Sequence, residues 1–337
     1  MKKIRWAALI LGTLLMTACG SSLRETPLNS QTDSGQGMTS SSGTEKRIRV
    51  GVVQLVQHPA LDAATKGFRE TLEEEFRDRI SVDVQNASGD VTNATTIVNG
   101  MVSSGVDLIL ANATASLQAA TAATTEIPIL GTSITDYGSA LDIKNWTGTV
   151  GGNVSGTTDL VPLDQQAAMV KEWAPEAKKV GILYASSESN SRYQADTIKP
   201  FLEKMGYTVS FYTFTDTNDV TGVTQKAADE SDVIYIPTDN TAASNTEAIA
   251  NIVLPAKVPV IAGDKGIAQG CGVATLSIDY EDLGRITGQM AIRILKGEDI
   301  SKMPIESATK LEKWVNVKNA TALGMQIPDG YQKMDAE

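Results

Sequence analysis

The chain has 337 residues, which is enough for two domains with separate hydrophobic cores. Its share of hydrophobic residues, 42%, and of charged residues, 20%, is typical of a globular protein. The formal net charge of −11 argues against a nucleic-acid partner, because such a partner requires a basic surface.

Residues 1–18 have the pattern of a secretion signal. The positively charged MKKIRW precedes Ala7–Met16, an apolar run that is too short to span a bilayer as a stable helix. The following TACG resembles a bacterial lipobox, in which the chain is cut before Cys19 and the thiol is lipidated; Met16 stands where the pattern prefers leucine. We therefore predict a lipoprotein signal peptide and lipidation at Cys19. The alternative is a plain secretion signal with an incidental cysteine.

Residues 19–46 are predicted to be the lipidated cysteine and a flexible tether, because they are rich in Ser, Thr and Gly. No later segment has enough consecutive apolar residues to cross a bilayer. With Cys19 lipidated, Cys271 has no cysteine left for an intrachain disulfide. The predicted location is the extracytoplasmic face of the cell membrane, with a lipid anchor.

From Arg47 the sequence alternates between predicted strands and helices. The first strand is RIRVGVVQLV, and the helix HPALDAATKGFRETLEEEF follows with apolar residues at helical spacing. Further strands are predicted at ISVDVQNA, VDLILA and IPILGTS. This alternation favours a parallel sheet with helices on both faces.

After the glycine-rich GTVGGNVSGTTDLVP, a second series of similar length begins, and two similar series imply two similar lobes. A late helix returns to the first lobe, and KLEKWVNV is the last predicted strand. The predicted fold class is α/β, with two doubly wound parallel-sheet lobes joined by a three-crossing hinge near Gly156, Ile278 and Val317. The predicted boundaries are 47–156 plus 279–316 for lobe 1 and 157–278 plus 317–337 for lobe 2.

Small polar residues follow the predicted strands of both lobes, and parallel sheets bind ligands at the carboxyl ends of their strands. Hydroxyls and free backbone N–H groups at the helix that starts at Thr114 suit a carboxylate. Asp136, Asp239 and Asp264 could accept hydrogen bonds from an ammonium group. The pattern indicates a receptor for an α-amino acid, although each of these residues could instead cap a helix.

An enzyme would need a catalyst that this sequence does not specify. The sequence has one histidine, His58, and lacks a Cys/His metal motif, a G-x-S-x-G elbow, a P-loop and a dinucleotide-binding glycine pattern. We therefore expect no enzymatic activity, no cofactor and no metal. A paired-carboxylate mechanism stays open, and so does an amino-acid racemase or hydrolase that depends on Cys271 or His58.

Several segments, in order from about Arg47 to Pro328, resemble one family. They are VGVVQLVQHPALDAATKGF, NASGD, DLILANATASLQAA, GTSITD, YIPTDNTAAS, VPVIAGD and SIDYEDLGRITGQMA. Together they are similar to the substrate-binding lipoproteins of ABC transporters of the tryptophan/tyrosine-type group. The resemblance implies a type I periplasmic-binding-protein fold, a ligand enclosed between the lobes, and import rather than catalysis.

The resemblance also implies a set of ligand-binding residues. They are Gln54, His58, Thr114, Ala115, Ser116, Ser133, Asp136, Asn190, Asp239, Asn240 and Asp264. Relatives in this family bind aromatic amino acids, which makes tryptophan, phenylalanine or tyrosine the expected ligand. Leu55, Tyr137 and Tyr193 are candidates to line an apolar slot, with Tyr137 standing where relatives commonly have proline. A branched aliphatic amino acid or a short peptide stays open.

The implied partners are an ABC permease with its ATPase, a small-molecule ligand, and the membrane through the lipid anchor. We expect a monomer. We expect no nucleic-acid partner, because a repressor of this fold would need an N-terminal DNA-binding helix pair where the signal peptide lies. A receptor that reports to a sensor rather than to a transporter is the alternative within binding proteins.

Overall fold

The computed structural model describes residues 47–334. The predictions for the signal peptide, Cys19 and the tether lie outside the described residues. Within 47–334, the structure contains no helix that combines the length and the hydrophobicity needed to cross a bilayer.

The chain alternates strands and helices, as the sequence predicts. The strands are β1 (Ile48–Gln54), β2 (Ile80–Asn86), β3 (Leu108–Asn112), β4 (Ile129–Ile134), β5 (Val154–Thr158), β6 (Lys179–Ala185), β7 (Thr208–Phe214), β8 (Val233–Ile236), β9 (Val260–Ala262), β10 (Ala274–Ser277), β11 (Glu306–Ser307), β12 (Glu312–Val315) and β13 (Gln332–Lys333). The helices are α1 (Pro59–Phe76), α2 (Val91–Ser104), α3 (Thr114–Ala123), α4 (Tyr137–Ala140), α5 (Leu163–Trp173), α6 (Ser189–Lys204), α7 (Thr217–Glu230), α8 (Asn240–Ala243), α9 (Thr246–Val253), α10 (Lys265–Gly270), α11 (Tyr280–Leu295) and α12 (Val317–Ala322), with 3₁₀ turns at Arg77–Arg79 and Ile300–Lys302.

Two sheets form two lobes of the same design. The first sheet has the order β2-β1-β3-β4-β5-β11, and its paired strands are parallel. The second has the order β7-β6-β8-β9-β10-β12-β13. In each lobe the first five strands follow the 2-1-3-4-5 order of a doubly wound sheet. The predicted fold class, two doubly wound α/β lobes, is confirmed.

Helices cover both faces of each sheet, so the central strands are buried on both sides. In the first lobe, Phe68 of α1 and Met290 of α11 pack on one face. Val98 of α2 and Leu117 of α3 pack on the other. The late helix α11 therefore returns to the first lobe, as expected.

Within the described range the chain passes between the lobes three times. The first crossing follows β5, and the second lies between β10 and α11. The predicted strand in KLEKWVNV exists as β12, but it pairs antiparallel with β10 of the second sheet. It thereby covers backbone groups on the outer edge of β10 that would otherwise be unpaired. The third crossing is therefore at 308–311 rather than near Val317, and residues 312–316 belong to lobe 2 rather than to lobe 1.

Candidate functional site

Two adjoining cavities lie between the lobes, at the carboxyl ends of the strands. The inner cavity is lined by His58, Ala60, Leu61, Ser133, Thr135, Asp159, Asn190, Thr238, Asp239, Asn240, Asp264 and Tyr280. The mouth cavity is lined by Leu55, Val56, Ser88, Gly89, Val91, Thr114, Ala115, Gln118, Ser187, Glu188, Ser189, Asn190, Thr215, Asp216, Thr217, Asn240, Thr241 and Ser244. Their volumes are about 10 Å³ and 190 Å³, so the inner one has room for about one water molecule.

The lobes touch across the inner cavity, so this is a closed arrangement. His58 Nε2 lies 3.2 Å from Asn240 Oδ1 on the opposite lobe. Gln194 Nε2 donates to Thr135 Oγ1 at 3.4 Å, also from one lobe to the other. His58 Nδ1 is buried and has no hydrogen-bond partner among the described residues. The second ring nitrogen of His58 is therefore available to a ligand.

The first turn of α3 has the features of an anion site. Thr114 and Ala115 line the mouth cavity, and no side chain in the described part of the chain caps this helix. Ala113, which precedes the helix, has a φ of 86°, a conformation that non-glycine residues adopt at a cost. The Ser116 hydroxyl is buried, and within 47–334 it finds no hydrogen-bond partner. Free N–H groups and an unused hydroxyl at a helix start suit a carboxylate.

Ser133 has a similar geometry in the inner cavity. It lies where the pairing of β4 with β5 shifts register, and its φ is 57°. Bulges of this kind re-aim side chains near functional sites. The Ser133 hydroxyl is buried, with no hydrogen bond to any described residue. Ser133 thus offers the inner cavity an unused hydroxyl, whereas Ser116 lines neither cavity.

The three aspartates that the sequence indicates all cap helices. Asp136 accepts from the Ser139 backbone N–H at 2.6 Å, and Asp264 accepts from that of Ile267 at 3.0 Å. Asp239 accepts from the backbone N–H groups of Ala242 and Ala185 at 2.8 and 2.7 Å. Asp239 and Asp264 also line the inner cavity, whereas Asp136 lines neither cavity.

The buried carboxyls of Asp239 and Asp264 carry raised pKa values. Burial, followed by the charge of Glu188, raises the pKa of Asp239 to about 8. Burial also raises the pKa of Asp264, although the nearby His58 works in the opposite direction. A positively charged ligand in this cavity would favour the ionised form of both carboxyls.

Asn190 and Asn240 line both cavities, and Glu188 orients them. The Glu188 carboxylate accepts from the side-chain amides of both asparagines, at 3.1 and 2.7 Å. It also accepts from the Thr241 hydroxyl and from the backbone N–H groups of residues 240 and 241. These bonds fix the amides at the junction of the two cavities.

Some of the expected contact residues are used elsewhere in the fold. Gln54 lines neither cavity, since its amide bonds to Thr65 and Asp62, each at 2.6 Å. Tyr137 is buried in the core of the first lobe, where it stacks on Trp146. Leu55 lines the mouth cavity, whereas Tyr193 lies outside both linings.

Sequence reasoning missed Asp159 and Tyr280. Asp159 is 4% exposed and accepts from the hydroxyls of Thr135 and Tyr280, at 3.1 and 3.0 Å. Burial raises the pKa of Asp159 to about 6, against the effect of these two hydrogen bonds. Asp159 directly follows β5, a strand that was not predicted from the sequence, and Tyr280 opens α11 just after the second crossing. The sequence feature that could have indicated Asp159 is its position as the one acidic residue of the glycine-rich GTVGGNVSGTTDLVP.

The described residues supply neither a metal-binding cluster nor a cysteine at the two cavities. Among residues 47–334, no group of three or more His, Cys, Asp or Glu side chains could hold a metal ion. Cys271 lines neither cavity and is buried at the end of α10. Burial raises the pKa of its thiol, which disfavours the nucleophilic thiolate.

Comparisons with known proteins agree with this architecture. The family model described as ABC transporter substrate binding protein matches residues 49–337. A tyrosine-binding protein of Clostridioides difficile (strain R20291) is 34% identical over 322 residues, which cover 94% of this chain and 90% of that protein.

Two solved structures differ in how well they superpose on this one. The ABC domain from Streptococcus pneumonia in complex with L-Trp gives a TM-score of 0.81 at 32% identity, covering 85% of this chain and 99% of that chain. The ligand-free, open structure of a substrate-binding protein with adhesive properties from Clostridium difficile gives a TM-score of 0.65 at 38% identity. This match covers 86% of this chain and 100% of that chain. The better superposition on the less identical, ligand-bound chain agrees with a closed arrangement of the lobes.

Proposed function

Because this chain belongs to the family of ABC transporter substrate-binding proteins, whose members are extracytoplasmic, we propose that it carries an amino acid to an ABC permease. The ligand binds between the lobes, and the closed form is the one that the permease recognises. The family is one of binding proteins, so the proposed role is delivery without chemical change.

The observation that carries the proposal is the pairing of an anion site with buried carboxylates. Thr114 and Ala115 bring the free N–H groups at the start of α3 to the mouth cavity, and the unused Ser116 hydroxyl lies in the same turn but outside both cavity linings. The adjoining inner cavity has the carboxyl groups of Asp159, Asp239 and Asp264. A zwitterion presents a carboxylate to the first group and an ammonium to the second, which is what an α-amino acid does.

We propose an aromatic side chain for this amino acid. Two relatives, each at least 32% identical, are named for binding tyrosine or were solved with L-Trp. Leu55, Val56 and Val91 give the mouth cavity an apolar side, and Gln118 and Thr217 add polar groups. A cavity of about 190 Å³ with this mixed lining suits a ring that carries a polar atom, as in tyrosine or tryptophan.

Titration calorimetry on a Cys19→Ser chain, refolded to remove bound ligand, tests the proposal. We expect a dissociation constant of about 1 μM or below for L-tyrosine or L-tryptophan. Leucine, a short peptide and glucose serve as comparisons, and mass spectrometry of the ligand after incubation should find no product. Absence of binding to every amino acid would refute the proposed cargo, and conversion of the ligand would favour the enzyme alternative.

We propose that the protein acts as a monomer held at the membrane by lipid on Cys19, with a permease and its ATPase as partners. The Cys19→Ser variant should leave the membrane fraction and appear in the soluble extract, because the substitution removes the thiol that is proposed to carry the lipid. Its ligand affinity should equal that of the wild type, since residue 19 precedes the folded lobes. Retention of this variant in the membrane fraction would contradict the lipid anchor.

A further inference from the structure

The inner cavity contains more carboxyl groups than its own basic side chains can pair with. Three of its carboxyl groups, those of Asp159, Asp239 and Asp264, are at most 4% exposed. His58 is the only basic side chain among the described residues that line the cavity. Buried carboxylates are costly without a cationic partner, so the cavity is built for a ligand with positive charge.

Two of these carboxylates already have structural partners. Asp239 accepts from two backbone N–H groups, and Asp264 accepts from the backbone N–H at the third position of α10. Turning either side chain towards a ligand would uncap a helix, which is unfavourable. These two aspartates therefore have limited freedom to bind an ammonium group.

Asp159 differs from both of them. It lies in the first crossing, and its carboxylate accepts from two hydroxyls, Thr135 Oγ1 and Tyr280 Oη. A carboxylate has about four acceptor positions, so Asp159, like the other two aspartates, keeps room for a ligand donor; it differs from them in that neither of its present donors is a helix N–H group. Hydroxyls also reorient easily, which lets Asp159 take a new donor without loss of a helix cap.

We propose that Asp159 holds the ammonium group of the bound amino acid, with the hydroxyls of Tyr280 and Thr135 setting the position of its carboxylate. This assignment rests on the proposed function and moves the ammonium contact to the hinge, away from Asp136, Asp239 and Asp264, the aspartates that the sequence indicates. Asp159 belongs to the first crossing and Tyr280 follows the second, so one charged contact links the ligand to two of the three hinge segments.

Binding should consequently depend on pH through Asp159. Burial raises the pKa of its carboxyl to about 6, the two hydroxyl bonds oppose this, and Asp264 adds to it. The other titratable groups facing it across the cavity belong to His58, Asp239, Asp264 and Tyr280. The ammonium contact requires the ionised Asp159 carboxylate, so the contribution of Asp159 to affinity should be complete above pH 6 and should fall by up to about tenfold per unit below it.

The test compares Asp159→Asn with wild type in calorimetry at pH 7.5. The probes are L-tyrosine and L-tryptophan and their analogues without the amino group, 3-(4-hydroxyphenyl)propionate and indole-3-propionate. We expect Asp159→Asn to weaken binding of the amino acids by about 100-fold, because their ammonium loses its buried partner. It should bind the analogues at least as well as wild type does and lose the fall in affinity below pH 6. The exposed Asp164→Asn on α5 is the matched control and should behave as wild type.

The outcomes distinguish failure of the ammonium assignment from failure of the proposed function. If wild type binds no amino acid, both fail. If wild type binds and Asp159→Asn keeps that affinity, or loses amino acids and analogues alike, the function stands and the ammonium assignment is overturned. Tyr280→Phe gives an independent test if Asp159→Asn does not fold. About tenfold weaker binding of the amino acids, with unchanged affinity for the analogues, supports the assignment. An equal loss of affinity for both ligand types refutes it.

Discussion

Asp159 is a residue at which ligand binding and stability are opposed. Its carboxyl has a folded pKa of about 6 because of burial, against an ordinary value of 3.8. The folded state therefore holds this proton more tightly than the unfolded state. The contribution of Asp159 to the free energy of unfolding is fully present below about pH 4 and is lost as pH rises through about 6. The free energy of unfolding differs by about 3 kcal/mol between the two limits. A bound ammonium group would offset that loss at neutral pH.

Asp159→Asn should therefore stabilise the ligand-free protein at pH 7.5 and have little effect at pH 4.5. We expect a rise of a few degrees in the midpoint of thermal unfolding at the higher pH, because the amide carries no charge to bury. Calorimetric scans of the refolded, ligand-free protein at both values measure this. The exposed Asp164→Asn should shift neither midpoint. Equal destabilisation at both pH values would contradict a buried ionised carboxylate at this position.

Local sequence reasoning reached the polar strand ends but not the division of their roles. Asp136, Asp239 and Asp264 follow strands, so their place at this edge of the sheets was predictable. That all three would cap helices was the stated alternative, and no local pattern distinguishes a cap from a ligand contact. Asp159 was missed since its partner Tyr280 is 121 residues away, and only the closed fold brings the two together.

At the scale of elements, the contact of α1 with α11 depends on glycine. A Cβ on Gly284 would lie 2.1 Å from the backbone oxygen of Ala64, and one on Gly67 would lie 2.1 Å from that of Glu281. Backbone atoms cannot move aside as a flexible side chain can. The two helices therefore approach this closely because these positions lack a side chain.

Gly284→Ala should lower the free energy of unfolding by about 2–3 kcal/mol through overpacking at this contact. Gly100→Ala is the matched control, because Gly100 is also inside a helix but has no atom within 4 Å of the added Cβ. The control should gain up to about 1 kcal/mol from helix propensity. Urea unfolding followed by circular dichroism measures both variants. A Gly284→Ala protein as stable as wild type would mean that the helices can separate at no cost.

The placement of β12 shows what an element's own sequence leaves open. The segment KLEKWVNV predicts a strand, and a strand is present. Which sheet it joins depends on the free edge of β10, a feature of the assembled second lobe rather than of residues 312–315. The number of hinge crossings was therefore predictable, whereas the position of the third required the pairing of the sheets.

At the scale of the whole molecule, the closed arrangement has to open before a ligand can enter. The inner cavity has room for about one water molecule, and the His58–Asn240 contact joins the lobes across it. The ammonium group of the proposed ligand has to reach this space past that contact, so the lobes must separate first. A ligand that contacts both lobes then favours a closed form over the open one, and its differential affinity sets how far the population moves.

Small-angle X-ray scattering should detect this change in the soluble Cys19→Ser chain. Without ligand we expect a mixture with a larger radius of gyration than this structure, and saturating L-tyrosine or L-tryptophan should reduce it towards the closed value. The analogues without an amino group should compact the protein less, because they lack the charge that Asp159 at the hinge is proposed to hold. An identical scattering curve with and without an amino acid that calorimetry shows to bind would mean that entry needs only local opening at the mouth cavity. A permease could then not recognise the ligand-bound protein by the closure of its lobes.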